Sequence, residues 1–333
     1  MYNNIIQAFY NQLFRIKIIL IVHLDSLLVL HSVNLLNSNN YGIENHLNLP
    51  IKVMFIKLRD SDGCKQMEFD DDLQRFEKKG ALPLPEATQQ GYVENKGAKI
   101  WYATYGTGNP VILLHGGLGH SGNWGYQVPA LGELGYQVII IDSRGHGRST
   151  RDDQPYSYEL MASDVIAVMN KLVIENTAII GWSDGAVISM VLADQYPSRI
   201  NGVFFFGCNM DPSGTKEFQP TPTLNRCFKR HMQDYAQLSP TPNDFEAFSS
   251  AVNVMMETQP NYSADDLAKI NIPVQIVQSE FDEFIRPEHF RYLAKSIPNA
   301  KLIFLPKVSH FAPLQRPNIF NQKLAEFLSE IYS

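Results

Sequence analysis

The chain has little cysteine: Cys64, Cys208 and Cys227 are all it holds in 333 residues. An odd, sparse set without C-x-x-C spacing excludes a disulfide framework and a zinc ribbon, and fits a reducing compartment. An excess of positive charge is also lacking. Lys and Arg number 28 against 34 Asp and Glu, a formal net charge of −6 that offers no basic field for a phosphate backbone, so nucleic acid is not expected as a partner. A long apolar run is missing too. The nearest, residues 18–30, carries His23 and Asp25 at its centre, which are costly in a spanning helix that needs about 20 mostly apolar residues. Read as a signal peptide it has Arg15 and Lys17 as the positive flank, but Asp25 interrupts the apolar region and His31-Ser32-Val33 is a poor cleavage site. Residues 1–66 are therefore expected to be an N-terminal extension outside the chemistry, with Met54 and Met67 as alternative starts. The expected location is cytoplasmic, with membrane association or export through the apolar segment as the alternative. No H-E-x-x-H, strand-borne G-x-G-x-x-G or P-loop is present, so neither a metal nor a nucleotide cofactor is expected.

What remains is ordinary globular composition, 44% hydrophobic and 19% charged. From residue 88 the pattern is regular. Residues 89–95 and 99–105 read as short strands around the turn Lys96-Gly97. Apolar runs follow at 111–114, 138–141, 178–180, 203–206 and 274–277, the last with Gln275 in it, and a last strand at 301–305, as expected for strands buried on both faces. Segments of helical period alternate with them, such as 158–172 and 186–195, which predicts an α/β fold with a mainly parallel sheet. Chemistry in such sheets sits outside the carboxyl ends of the strands. The alternation breaks over about residues 211–269, which hold six prolines among short helical patches and read as an inserted helical lid within a domain spanning 67–333. Phe218, Phe228, Tyr235, Phe245, Phe248, Met255 and Met256 there either wall a cleft or form a satellite core.

Gly181-Trp182-Ser183-Asp184-Gly185 is a G-x-S-x-G placed between a strand and a helix. A sharp strand-to-helix turn lifts the serine hydroxyl clear of the sheet, and the helix behind it points N–H groups at developing negative charge. A serine needs a base, and the base a carboxylate to orient it. Of the nine histidines, His310 follows a late strand, whereas His115 and His146 read as structural. Asp282 is the favoured acid over Glu280 and Glu283, with Asp211 as runner-up. The oxyanion hole is assigned to the N–H groups of Asp184 and of Gly117 in His115-Gly116-Gly117-Leu118-Gly119, with Leu118 as the fallback. Leu118, Trp182 and the Asp184 side chain are the candidate substrate-binding residues.

The order Ser183, Asp282, His310, the glycine loop and the elbow together resemble the α/β-hydrolase family, from about residue 88 to the C-terminus. Within it, Gly-Trp-Ser-Asp-Gly is similar to the elbow of the biphenyl-hydrolase-like α-amino-acid ester hydrolases. The resemblance implies a serine hydrolase acting on a small-molecule ester or amide, with the acid after the nucleophile, here Asp184, meeting a substrate amino group. Two positions depart from the pattern, Ser279 and Ser309, which stand where the family commonly has glycine before the acid and before the histidine. Relatives that open epoxides or remove halogen use aspartate as the nucleophile, against which Ser183 argues. Carboxylic ester hydrolysis is the first expectation. Aminopeptidase activity, carbon–carbon bond hydrolysis and a non-catalytic ligand receptor are the alternatives.

Overall fold

The computed structural model describes residues 19–24, 27–32 and 71–333. Residues 1–58 form one unit, in which β1 (Ile19–Leu24) and β2 (Leu27–Ser32) pair antiparallel with Ile19 opposite Ser32. The remainder of the extension lies outside the described residues. No helix among the described residues is long and apolar enough to cross a membrane.

Residues 59–333 form the second unit. It begins with α1 (Asp71–Lys79), then β3 (Gln89–Asn95), β4 (Ala98–Tyr105), β5 (Pro110–Leu114), α2 (Gln127–Glu133), β6 (Gln137–Ile141), α3 (Tyr158–Lys171), β7 (Thr177–Trp182), α4 (Asp184–Gln195) and β8 (Ile200–Phe206). After β8 come α5 (Pro222–Leu238), α6 (Phe245–Thr258) and α7 (Ala264–Leu267), where the proline-rich segment was noted. The chain closes with β9 (Val274–Phe281), α8 (Pro287–Ser296), β10 (Ala300–Ser309), α9 (Ala312–Gln315) and α10 (Pro317–Ile331). The eight strands β3 to β10 form one sheet in the order β10-β9-β8-β7-β5-β6-β4-β3. From β10 to β6 every neighbour is parallel, and β4 pairs antiparallel with both β6 and β3, so it alone runs against the rest.

The period of two along each strand explains the layers. Val111, Leu113, Val138, Ile140, Ala178, Ile180, Phe204 and Phe206 pack on one face with Val128 of α2 and Phe320 and Leu324 of α10. Their neighbours Ile112, Leu114, Ile139, Ile141, Ile179 and Phe205 turn to the other face, beneath Val165 of α3, Val187 of α4 and Phe290 of α8. Helix starts follow from capping chemistry: Ser157 Oγ accepts Leu160 N–H at 3.1 Å ahead of α3, and Thr221 Oγ1 accepts Leu224 N–H at 3.1 Å ahead of α5.

Among the boundaries that differ from the sequence expectation, two adjoin the site. Helix α4 starts at Asp184, not 186, because the two residues after Ser183 already belong to its first turn. Strand β10 runs on to Ser309 through a register shift between Leu305 and Ser309 that Pro306 marks, so the run of apolar residues understated its length.

Candidate active site

The sharp turn between β7 and α4 puts Ser183 at φ 55°, ψ −122°, a strained conformation for a residue with a Cβ. Both glycines of the motif are sterically required. A Cβ on Gly181 would lie 2.4 Å from Gly185 O, and one on Gly185 would lie 2.1 Å from Leu114 O. The Ser183 backbone N–H is tied to Phe206 O at 2.8 Å, which fixes the elbow against β8.

At the ends of β9 and β10, Asp282 and His310 meet. His310 Nδ1 lies 3.1 Å from Asp282 Oδ2, so the carboxylate accepts the hydrogen bond of Nδ1–H and leaves Nε2 as the basic nitrogen. Asp282 Oδ1 accepts Phe284 N–H and Ile285 N–H at 2.9 Å each. Burial opposes ionisation of Asp282, but the His310 charge and these donors outweigh it and its pKa is lowered. Burial likewise pulls His310 down, and the Asp282 carboxylate overrides it, leaving the imidazole pKa above 6.5. The two serines at the departing positions fasten this corner. Ser279 Oγ donates to Ser309 O at 2.8 Å, and Ser309 N–H donates to Gln315 Oε1 at 2.7 Å.

The other acids weighed from sequence are occupied elsewhere. Asp211 caps the short turn at Pro212–Gly214 and lies 3.9 Å from His289, while Glu280 accepts Lys307 N–H at 2.8 Å. Glu283 is different: its Oε2 accepts the backbone N–H of His310 at 2.9 Å, and burial pushes its carboxyl up to about 7. His115 is buried with Nδ1 donating to Gly116 O at 2.8 Å and Nε2 accepting Ser143 N–H at 3.0 Å, and burial lowers its pKa to about 4. His146 donates from Nδ1 to Arg144 O at 2.9 Å and is lowered by burial to about 3. In both, Nδ1 is committed to a main-chain carbonyl.

The loop after β5 closes as a turn with Gly119 N–H on Gly116 O at 3.2 Å, and Leu118 takes φ 61° in it. A Cβ on Gly117 would lie 2.2 Å from Met256 Cε and 2.6 Å from Asp184 Oδ2, so a larger residue there must displace those side chains. A cavity of about 530 Å³ is lined by Gly117, Leu118, Trp182, Ser183, Asp184 and His310. Phe218, Phe228 and Met256 from the segment after β8 face it too, whereas Tyr235 and Phe248 stack on each other at 4.8 Å within the core. Trp182 is buried edge-on against Trp124 and Phe311, with ring centroids 6.0 and 5.8 Å away.

Asp184 is only 6% exposed. Its Oδ1 accepts the Tyr158 hydroxyl at 3.0 Å, its Oδ2 has no hydrogen-bond partner, and burial raises its pKa to about 6. Neither Tyr158 nor the Glu283 contact was found by sequence reasoning. Tyr158 opens a helix distant in sequence, and Glu283 acts through a main-chain N–H, for which residue types leave no signal.

A mainly parallel sheet with serine, acid and histidine on the loops at its strand ends defines a hydrolase of the α/β class. Residues 109–317 match the alpha/beta hydrolase fold family, and the chain belongs to it. It is similar to bifunctional epoxide hydrolase 2 of Sus scrofa, 23% identical over 82% of this chain, and spans 62% of that protein's length. It is also similar to serine hydrolase BPHL of Mus musculus, 24% identical over 73% of this chain and 87% of that one. Among solved structures, Est816, described as an N-acyl homoserine lactone degrading enzyme, is 28% identical, with a TM-score of 0.58 over 71% of this chain and 100% of its own.

Proposed function

We propose that the chain is a serine hydrolase that cleaves a small carboxylic ester through an acyl-enzyme on Ser183, with esters of α-amino acids as its preferred class. The observation that carries this reading is the His310–Asp282 pair at 3.1 Å beside a strained Ser183 on the same cavity. His310 Nε2 takes the Ser183 proton as Oγ attacks the carbonyl carbon, and Asp282 stabilises the imidazolium that forms. The N–H groups of Asp184 and Gly117, with Leu118 N–H as the alternative second donor, hold the oxyanion. His310 then protonates the departing alcohol, and water releases the acid by the same steps in reverse order. Residues of about 211–269 act as a lid whose Phe228 and Met256 exclude water from the cavity.

Ser183 stands where epoxide-opening relatives place aspartate, which favours ester over epoxide chemistry. The amino-acid preference rests on Asp184, whose unpartnered Oδ2 beside Gly117 favours a cation next to the scissile carbonyl. Charge-assisted hydrogen bonds run at roughly 1.5–3 kcal/mol, or about 10- to 150-fold in kcat/KM. Asp184→Asn should therefore lose activity on aminoacyl p-nitrophenyl esters by that factor while the butyryl ester is little affected. Equal loss on both leaves a general carboxylesterase, and absence of Ser183 labelling by a fluorophosphonate removes the serine mechanism altogether.

A further inference from the structure

A second polar part of the cavity lining lies beside the glycine loop, at Asn123 and His231. Gly117 faces Asp184 and Met256, whereas a Cβ on Gly119 would meet Asn123 Oδ1 at 2.6 Å and His231 Cε1 at 3.6 Å. Asn123 and His231 both line the cavity and are 0% and 4% exposed. Asn123 Oδ1 accepts His120 N–H at 3.0 Å, which fixes the orientation of the amide and turns Nδ2 away from that bond. Asn123 Nδ2 and His231 Nδ1 have no hydrogen-bond partner. Two buried polar groups left open side by side cost stability unless something else requires them.

Their placement is not accidental to the fold. His120 Nε2 lies 3.4 Å from Asp234 Oδ2, and Asp234 is itself paired with Arg230, so a polar clip fastens α5 to the residues after the glycine loop. That clip sets His231 beside Asn123, with the edge of Phe76 against the imidazole at 5.9 Å.

We propose that Asn123 and His231 form a second substrate subsite, which hydrogen-bonds an uncharged oxygen, a hydroxyl or a carbonyl, carried by the substrate apart from the ester that is cleaved. Asn123 supplies donors only at Nδ2, so the group it meets must accept. Burial, with His120 next, depresses the His231 pKa to about 3, so the imidazole is neutral and gives a carboxylate no countercharge. A hydroxyl satisfies both, accepting from Asn123 and exchanging a hydrogen bond with His231. With Asp184 on the same cavity, the site then discriminates at two places, one for a cation and one for an uncharged oxygen. This deepens the hydrolase reading but is tested without turnover.

Binding of ethyl butyrate, ethyl 3-hydroxybutyrate, ethyl acetoacetate and 2-hydroxyethyl butyrate to the full Ser183→Ala chain would be measured by ligand-observed NMR titration. At least one ester with the extra oxygen should bind roughly tenfold tighter than ethyl butyrate. That ratio should fall to within about twofold when either Asn123→Leu or His231→Phe is added, two variants that keep the volume near each site. Equal affinity for all four esters overturns the proposal, as does a preference that survives both substitutions. Failure of the wild-type chain to hydrolyse any of them bears instead on the Ser183 mechanism and leaves the affinity ratios to decide the subsite.

Discussion

Replacing Asp184 by asparagine should make the protein more stable and a poorer enzyme, and the stability part can be worked from the structure. The carboxyl is buried with one phenolic donor, and its pKa rises from 3.8 to about 6 on folding. Between those values the folded chain holds a proton that the unfolded chain has released. The contribution of Asp184 to stability is therefore greatest below about pH 4 and is lost as pH rises through 6. At about 1.4 kcal/mol per pKa unit the loss reaches roughly 3 kcal/mol at pH 8. Asparagine keeps an oxygen for Tyr158 and does not titrate, so it escapes this loss. Urea melts of both chains at pH 4.5, 6 and 8 should show the variant gaining on the wild type as pH rises, by up to that amount. Titrating groups that do not couple to Asp184 are shared and cancel in the difference, whereas His310, whose pKa Asp184 helps to raise, does not cancel in full. A variant less stable than the wild type at pH 8, or a difference that does not change with pH, would refute the account of Asp184 as an underpartnered buried charge.

Ser183→Ala and His310→Ala should each remove nearly all turnover, on the order of 10⁴-fold or more because such groups act as a unit, and p-nitrophenyl butyrate hydrolysis checks this. The acidic limb of kcat/KM should lie above pH 6.5, since His310 must be neutral to act as base and its pKa is raised. Glu283→Gln should move that limb to lower pH, because it keeps an acceptor for His310 N–H and removes a negative charge from beside the imidazole; an unmoved limb would show that Glu283 is only a brace. A chain started at Met67 should fold and keep its activity, since it retains α1 with Leu73 and Phe76 in the core and every site element lies beyond residue 110. Loss of folding in a thermal melt would show that the extension belongs to the domain.

The sheet could be read from the sequence because strands buried on both faces leave unbroken apolar runs, and 111–114 and 138–141 lie within β5 and β6. Ser183 was readable for a different reason: the steric demands at Gly181 and Gly185 are so severe that the motif must be written in the sequence. Asp282 and His310 followed from strand order. What stayed hidden depends on tertiary approach. Tyr158 reaches Asp184 across 26 positions, and the His120–Asp234 clip that seats His231 joins residues 114 positions apart, so no local pattern announces either. Glu283 was weighed only as an alternative acid, because a side chain that grips a main-chain N–H looks like any other carboxylate.

Asp282, Glu283 and Asp184 all raise the His310 pKa, yet their own pKa values part company. Asp282 has the His310 charge, the imidazole hydrogen bond and two backbone donors and is lowered; Glu283, held by the backbone N–H of His310 and its own, rises to about 7; Asp184 has one phenol and rises to about 6. The side-chain bond to the His310 imidazole, which of the three only Asp282 makes, lets its ionised form prevail over burial. Asp184 is thus the group whose charge an incoming cation changes most. At pH 5.5 about three quarters of it is protonated in the free protein, and an ammonium group at Oδ2 would hold it ionised. Binding must then release roughly 0.7 proton. Calorimetry of the Ser183→Ala chain with an amino acid amide at pH 5.5, in buffers of different ionisation enthalpy, reads that number from the slope of heat against buffer enthalpy. The release should vanish in Ser183→Ala/Asp184→Asn. Binding with no buffer dependence would mean that the ammonium group does not reach Asp184, and the amino-acid ester preference would fall with it.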